Sequence, residues 1–218
     1  MRAWMRSHPC FFLFSALLLL LLLLPAVDNS PAGRLALGVP SALVLVTSLV
    51  ALGRSRASFL VALFLVGPAL TLLLASHFTG DTGYLVWAWP FSGAVLVAIL
   101  VHLVRYVLRP AGPEGMTADR LYGGAATYLL LGLLWCHFYA LAEHFSPGSF
   151  SGLGSHKTLR IADMVFLSFG ALTTGGSADL VPQGRLAKTL VTLEQVTGTL
   201  YLGAFVARLV GMYSGGRR

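Results

Sequence analysis

Six stretches of this chain run apolar for close to the ~20 residues an α-helix needs to cross the hydrocarbon core of a bilayer. They read as helices over about Phe11–Val27, Leu35–Leu52, Ser58–Ser76, Tyr84–Leu108, Arg120–His144 and Leu186–Tyr213. The first holds an unbroken block of leucine from Leu17 to Leu24. A soluble domain would need far more polar surface than the 11% charged and 56% hydrophobic residues found among these 218. The fold class implied is an all-α integral membrane protein.

The linkers agree with that division. DNSPAGR, GRSR, HFTGDTG and RPAGPEGMTADR separate the first five runs. Each carries Gly, Pro, Asp, Asn or Ser, residues that stop helices and turn the chain. Before the fifth run, Thr117 stands where it can cap the helix, with Asp119 in the first turn beside the positive helix end. The first run follows Arg2 and Arg6, as a signal peptide would. PAVDNS fits a cleavage site only loosely, so an uncleaved span is expected.

The net charge of +7 does not point to nucleic acid, because the basic residues sit at the edges of apolar runs rather than on one soluble face. Placed there, they set topology and meet anionic headgroups. Arg2, Arg6, Arg54, Arg56, Arg105, Arg109, Arg120, Arg208, Arg217 and Arg218 fall on one side. Arg34, Lys157, Arg160, Arg185 and Lys188 fall on the other. The imbalance predicts cytoplasmic termini, an even number of spans and residence in the cell membrane. The partner implied is the lipid bilayer. The two cysteines, Cys10 and Cys136, have neither disulfide nor zinc spacing and read as small core residues. Tyr84, Trp87 and Trp89 read as an interfacial aromatic belt.

One connection does not behave like the others. The chain takes residues 145–185 to join the last two runs, far longer than a compact fold normally allows. Its first part, SPGSFSGLGSHK, reads as a plain exposed loop. RIADMVFLSFGALTT then stays apolar for a length too short to cross a bilayer but suited to a re-entrant half-helix. Such a helix would end at depth near Thr173 and Thr174. The irregular backbone after it survives there only inside protein or against water. Two threonines, two glycines and a closing Asp-x-x-Pro suit a chain returning to the surface with its carbonyls toward a pore.

Residues 163–213, DMVFLSFGALTTGGSADLVPQGRLAKTLVTLEQVTGTLYLGAFVARLVGMY, resemble the pore module of potassium channels, in particular short bacterial members of the two-helix-pore group. The likeness runs through Pro182, Arg185, Leu193-Glu194, Gly198, Tyr201-Leu202 and Ala207-Arg208-Leu209-Val210. MTADRLYGG and YLLLGLLW before it resemble that family's outer helix. The resemblance implies a division into a four-helix N-terminal region, 1–110, and a pore module, 117–218. It further implies a homotetramer that passes monovalent cations, K⁺ first, past rings of backbone carbonyls. Thr173 and Thr174 would end the pore helix. Thr174, Gly175, Gly176, Ser177 and Ala178 would occupy the filter positions, Asp179 the outer mouth, and the ion would sit at Thr174, Gly175 and Gly176. No other metal and no cofactor are implied.

This sequence reads T-G-G-S-A-D where the family has T-V-G-Y-G-D. Gly175 replaces an aliphatic residue, Ser177 an aromatic brace, and Ala178 a glycine with left-handed torsions, which costs roughly 1–2 kcal/mol per subunit. The altered filter implies relaxed selectivity. The alternative is a non-conducting scaffold or regulatory subunit built on the channel fold.

Two residues of the last run remain open to two readings each. Glu194 is either a cation attractor or proton-sensitive gate in the pore, or a structural hydrogen-bond partner of the short helix. Gly198 is either a gating hinge or a point of close helix packing. His137, Glu143 and His144 read as interfacial polar residues rather than a metal site. His102, Arg105 and Arg109 gather at one helix end and do not form a voltage sensor. No enzyme is expected. GGSAD, around Ser177, is one residue short of a nucleophile elbow and lacks its strand-turn-helix setting.

Overall fold

The computed structural model describes residues 9–23, 56–79, 83–108, 117–152, 161–176 and 180–215. These form helices α1 (Pro9–Leu23), α2 (Arg56–Thr79), α3 (Gly83–Leu108), α4 (Ala118–Phe145), α5 (Ile161–Leu172) and α6 (Arg185–Gly215). Two three-residue strands, β1 (Phe150–Gly152) and β2 (Leu180–Pro182), flank α5. Among the described residues, α3 from Val86, α4, and α6 as far as Gly211 are long and apolar enough to cross a membrane. Shorter apolar stretches lie in α1, α2 and α5. The span expected over Leu35–Leu52 lies outside the described residues, as does the end of the first.

Helix α4 is the centre of the bundle. It packs against α1, α3, α5 and α6, while α2 lies on α3. On one side, Ala126, Leu130 and Leu134 close a core with Leu17, Val66, Val95 and Ile99. Further along, Cys136, Tyr139 and Ala140 close a second core with Phe150, Met164, Leu167 and Ala187. Helices in lipid gain little from hiding apolar surface, so close contact and hydrogen bonds must hold them. Small residues on α4 provide that contact. At Gly132, an added Cβ would stand 2.8 Å from the Phe169 ring.

At Gly124 the approach is closer still. A Cβ would fall 2.0 Å from the ring of Phe205, which stacks on Tyr201, and the Tyr201 hydroxyl donates to the Gly124 carbonyl at 2.6 Å. Gly124→Ala is therefore expected to destabilise the protein by about 1–3 kcal/mol through overpacking. In a Phe205→Ala background, most of that penalty should disappear. A double-mutant cycle on thermal unfolding checks this, and purely additive effects would contradict the packing.

Several hydroxyl side chains on the helices are satisfied within their own helix. Thr189, Thr192, Thr197 and Thr199 of α6 each donate to the carbonyl four residues back. Pro68 lies inside α2 and Pro90 inside α3. Thr71 donates to the carbonyls of Gly67 and Pro68 beside the first of these breaks.

Two local expectations are revised, and one residue does more than expected. The Thr117 side chain makes no cap hydrogen bond to α4; its backbone carbonyl accepts from Arg120 instead. Asp119 lies in the first turn of α4, as expected, and also serves another helix. Its carboxylate accepts the Cys10 backbone N–H and the Tyr106 hydroxyl, both at 2.9 Å, and so closes the start of α1 from 109 residues away. The stretch expected as plain exposed loop buries Ser149 and Phe150, because β1 pairs antiparallel with β2, Phe150 opposite Pro182. Of the expected aromatic belt, Trp87 is exposed, whereas Trp89 turns edge-on toward His144.

Candidate functional site

The strand pair fixes one end of the site. Glu143 at the end of α4 accepts backbone N–H groups from Gly148 (2.8 Å) and Phe150 (3.1 Å), which sets the turn into β1. The Ser149 carbonyl accepts from Gln183 and Gly184, which sets the start of α6. The chain that leaves this end as α5 is back beside it at β2.

Between those points it goes about halfway down the bundle. Helix α5 has 12 residues, roughly 18 Å at 1.5 Å per residue. Its Ser168 touches Gly132, about midway along the 28-residue α4, and its last residue touches Gly198, near the middle of the 31-residue α6. A Cβ on Gly198 would fall 2.3 Å from the Leu172 carbonyl oxygen. That carbonyl also accepts the Tyr128 hydroxyl at 3.1 Å, and Tyr128 stacks on Tyr201. Sequence reasoning left Gly198 between hinge and packing; the structure places it against the end of α5.

The residues after α5 are exposed from Thr173 to Gly176. Thr174 has φ 57° and Gly176 φ 73°. Left-handed backbone suits glycine at the end of a helix, yet here it falls on a β-branched residue although glycines follow at once. Strain of this kind, of order 1–3 kcal/mol, persists where the surroundings impose it and is concentrated at functional sites. Thr173 donates its hydroxyl to the Phe169 carbonyl and Thr174 to that of Thr173, both at 2.7 Å. With their hydrogens so used, both oxygens offer only lone pairs to anything else. Ser177, Ala178 and Asp179 lie outside the described residues.

Glu194 is fully buried on the side of α6 that meets α5 and α4. The Tyr139 hydroxyl donates to its Oε2, and Ser168 Oγ lies 2.5 Å from Oε1. Ser168 Oγ is also 2.7 Å from the Gly132 carbonyl oxygen. Tyr139, Ser168 and Gly132 were not singled out from the sequence. The available signal was Ser168, the one polar side chain between Met164 and Leu172.

The inward stripe of α6 runs through Ala187, Val191, Glu194, Gly198, Tyr201, Phe205 and Arg208, at alternating steps of four and three. Arg208 closes it by donating to the carbonyls of Val107 (3.1 Å) and Leu108 (2.7 Å) at the end of α3. The rest of α6 is bare. Far fewer of its apolar residues are buried than in α4, and Leu193, Val196, Leu200 and Val206 stand exposed. Ser92 lies 3.0 Å from His137 Nε2, which ties that histidine to α3, and Glu143 is occupied by backbone. Among the described residues no cluster of His, Cys, Asp and Glu could hold a metal ion.

Chemically, the arrangement directs the C-terminal end of a helix into the middle of the bundle. The carbonyls of Phe169, Gly170, Ala171 and Leu172 there each already accept a hydrogen bond, from Thr173, Gly176, Thr174 and Tyr128. The negative end of the dipole lies there too, followed by exposed backbone and hydroxyl oxygens. Such a cluster attracts cations. Set against known protein families, curated proteins and solved structures, the chain matches none.

Proposed function

We propose that this chain is one subunit of a cation channel of the potassium type, with Thr173–Asp179 as the conducting loop. The observation that carries the reading is the end of α5: a half-length helix that stops midway along α4 and α6 and opens into the strained, exposed backbone of Thr173–Gly176. Helix C-terminal ends and unwound carbonyls coordinate monovalent cations where irregular backbone meets water at depth. The sequence resemblance of residues 163–213 to potassium-channel pore modules supports the same reading.

One loop is one wall of a pore, so several copies must surround an axis, and the family likeness makes that number four. The bare face of α6 leaves room for such assembly: Leu193, Val196 and Leu200 can meet lipid or another helix alike, while the exposed Thr189, Thr192 and Thr199 suit a neighbour or water. In this arrangement the protein has six spans in the cell membrane with both termini in the cytoplasm. The substitutions at Gly175, Ser177 and Ala178 loosen selectivity among monovalent cations.

Reversal potentials of the purified protein in planar bilayers under opposed K⁺ and Na⁺ gradients test this. A cation current that prefers K⁺ weakly is expected. Thr174→Cys should make it vanish on treatment with a charged thiol reagent, since Cys10 and Cys136 are buried. An intact oligomer without current would instead identify a non-conducting scaffold.

A further inference from the structure

Three oxygen–oxygen contacts form a chain through Glu194: Tyr139 Oη to Oε2, Ser168 Oγ to Oε1 at 2.5 Å, and from Ser168 Oγ on to the Gly132 carbonyl at 2.7 Å. Each needs one hydrogen between its oxygens. Tyr139 and Ser168 supply one each, and the Gly132 carbonyl supplies none. An ionised carboxylate would leave two oxygens pressed together with no hydrogen between them, in a place fully closed to solvent.

We propose that Glu194 is held as the undissociated acid, and that this neutral bridge positions α5 and therefore the loop after it. Its Oε1–H donates to Ser168 Oγ, Ser168 donates to the Gly132 carbonyl, and Tyr139 donates to Oε2. All three hydrogens are then used and every contact is satisfied. The groups facing the carboxyl agree. Tyr139, Cys136 and Tyr128 of α4 and Ser168 of α5 surround it, and none of them carries a positive charge that would hold an anion. A neutral acid is also the form a buried, cation-free site retains at least cost. Glu194 thus acts through Ser168 as a positioning residue. The proton assignment stands on this geometry whether or not the protein conducts; its effect on permeation rests on the channel reading.

Infrared spectroscopy of the full chain in lipid tests it. A carbonyl-stretch band of an undissociated carboxylic acid is expected at neutral pH and should be absent in Glu194→Gln. Ser168→Ala should keep the band but move it upward, because the acid loses its acceptor. Gln reproduces the acid's donor and acceptor, so Glu194→Gln should unfold within about 3 °C of the parent, whereas Glu194→Ala should fall by ~10 °C or more. The reaction rate of Thr174→Cys with a polar thiol reagent reads loop position without any current. It should be unchanged by Glu194→Gln and altered on the order of tenfold by Ser168→Ala, which loosens α5. Absence of the acid band, or a Gln variant as unstable as the Ala variant, would overturn the assignment.

Discussion

Replacing Gly198 with alanine is expected to lower the midpoint of thermal unfolding by about 6–12 °C. The new Cβ would stand 2.3 Å from the Leu172 carbonyl oxygen, 3.1 Å from its carbon and 3.0 Å from the Leu172 Cδ1. A side chain can swing away from such a clash, but two of these three atoms are backbone. Relief requires either α5 or α6 to move. Overpacking typically costs ~1–3 kcal/mol, and the upper end applies where backbone must shift. A chain of this size loses about 2–4 °C per kcal/mol. Movement of α5 would also break the Tyr128 hydrogen bond to the same carbonyl. Tryptophan fluorescence of the detergent-solubilised protein at a fixed scan rate gives the midpoint, since unfolding of membrane proteins is often irreversible. An unchanged midpoint would mean that the two helices stand further apart than described.

Loss of the Asp119 carboxylate should be more damaging, and in a different place. Asp119→Ala removes two hydrogen bonds to a buried acceptor, from Cys10 N–H and Tyr106 O–H. Hydrogen bonds to charged groups contribute ~1.5–3 kcal/mol each, so a loss of about 3–6 kcal/mol is expected. The first N–H groups of a helix have no partner within it, and Pro9 at the start of α1 has no N–H to offer. The Cys10 N–H is therefore left without a partner once the carboxylate goes. Asp119→Asn keeps one acceptor and should recover about half of the loss. Hydrogen exchange is the sharper readout: protection should fall at the first turn of α1 and stay unchanged in α5 and α6. Equal loss across the bundle would show that Asp119 does more than fasten α1.

Much of the fold was legible in the sequence. The runs expected at Tyr84–Leu108, Arg120–His144 and Leu186–Tyr213 appear as Gly83–Leu108, Ala118–Phe145 and Arg185–Gly215. Their length and the turn residues between them depend only on local composition. The short apolar segment before Thr173 was legible for the same reason, since ALTTGG ends a helix wherever it is placed. The site was legible only as positions along the chain. Thr173 and Thr174 could be marked, but not that the left-handed torsion would fall on Thr174.

Sequence alone determined the composition and order of this protein: an apolar all-helical chain with one half-length helix inserted before its last long one. Hydropathy, punctuation and charge are properties of neighbours in the chain, so they need no fold to be read. Tertiary structure decided which distant groups share a hydrogen. Asp119 stands in the first turn of its own helix, and packing also brings it to the start of α1, 109 residues away. Glu194 could have faced water and instead meets Ser168 and Tyr139, 26 and 55 residues away. Within the bundle a polar group must find whatever partner packing brings to it, and packing is set by ridges and small residues on all the helices together.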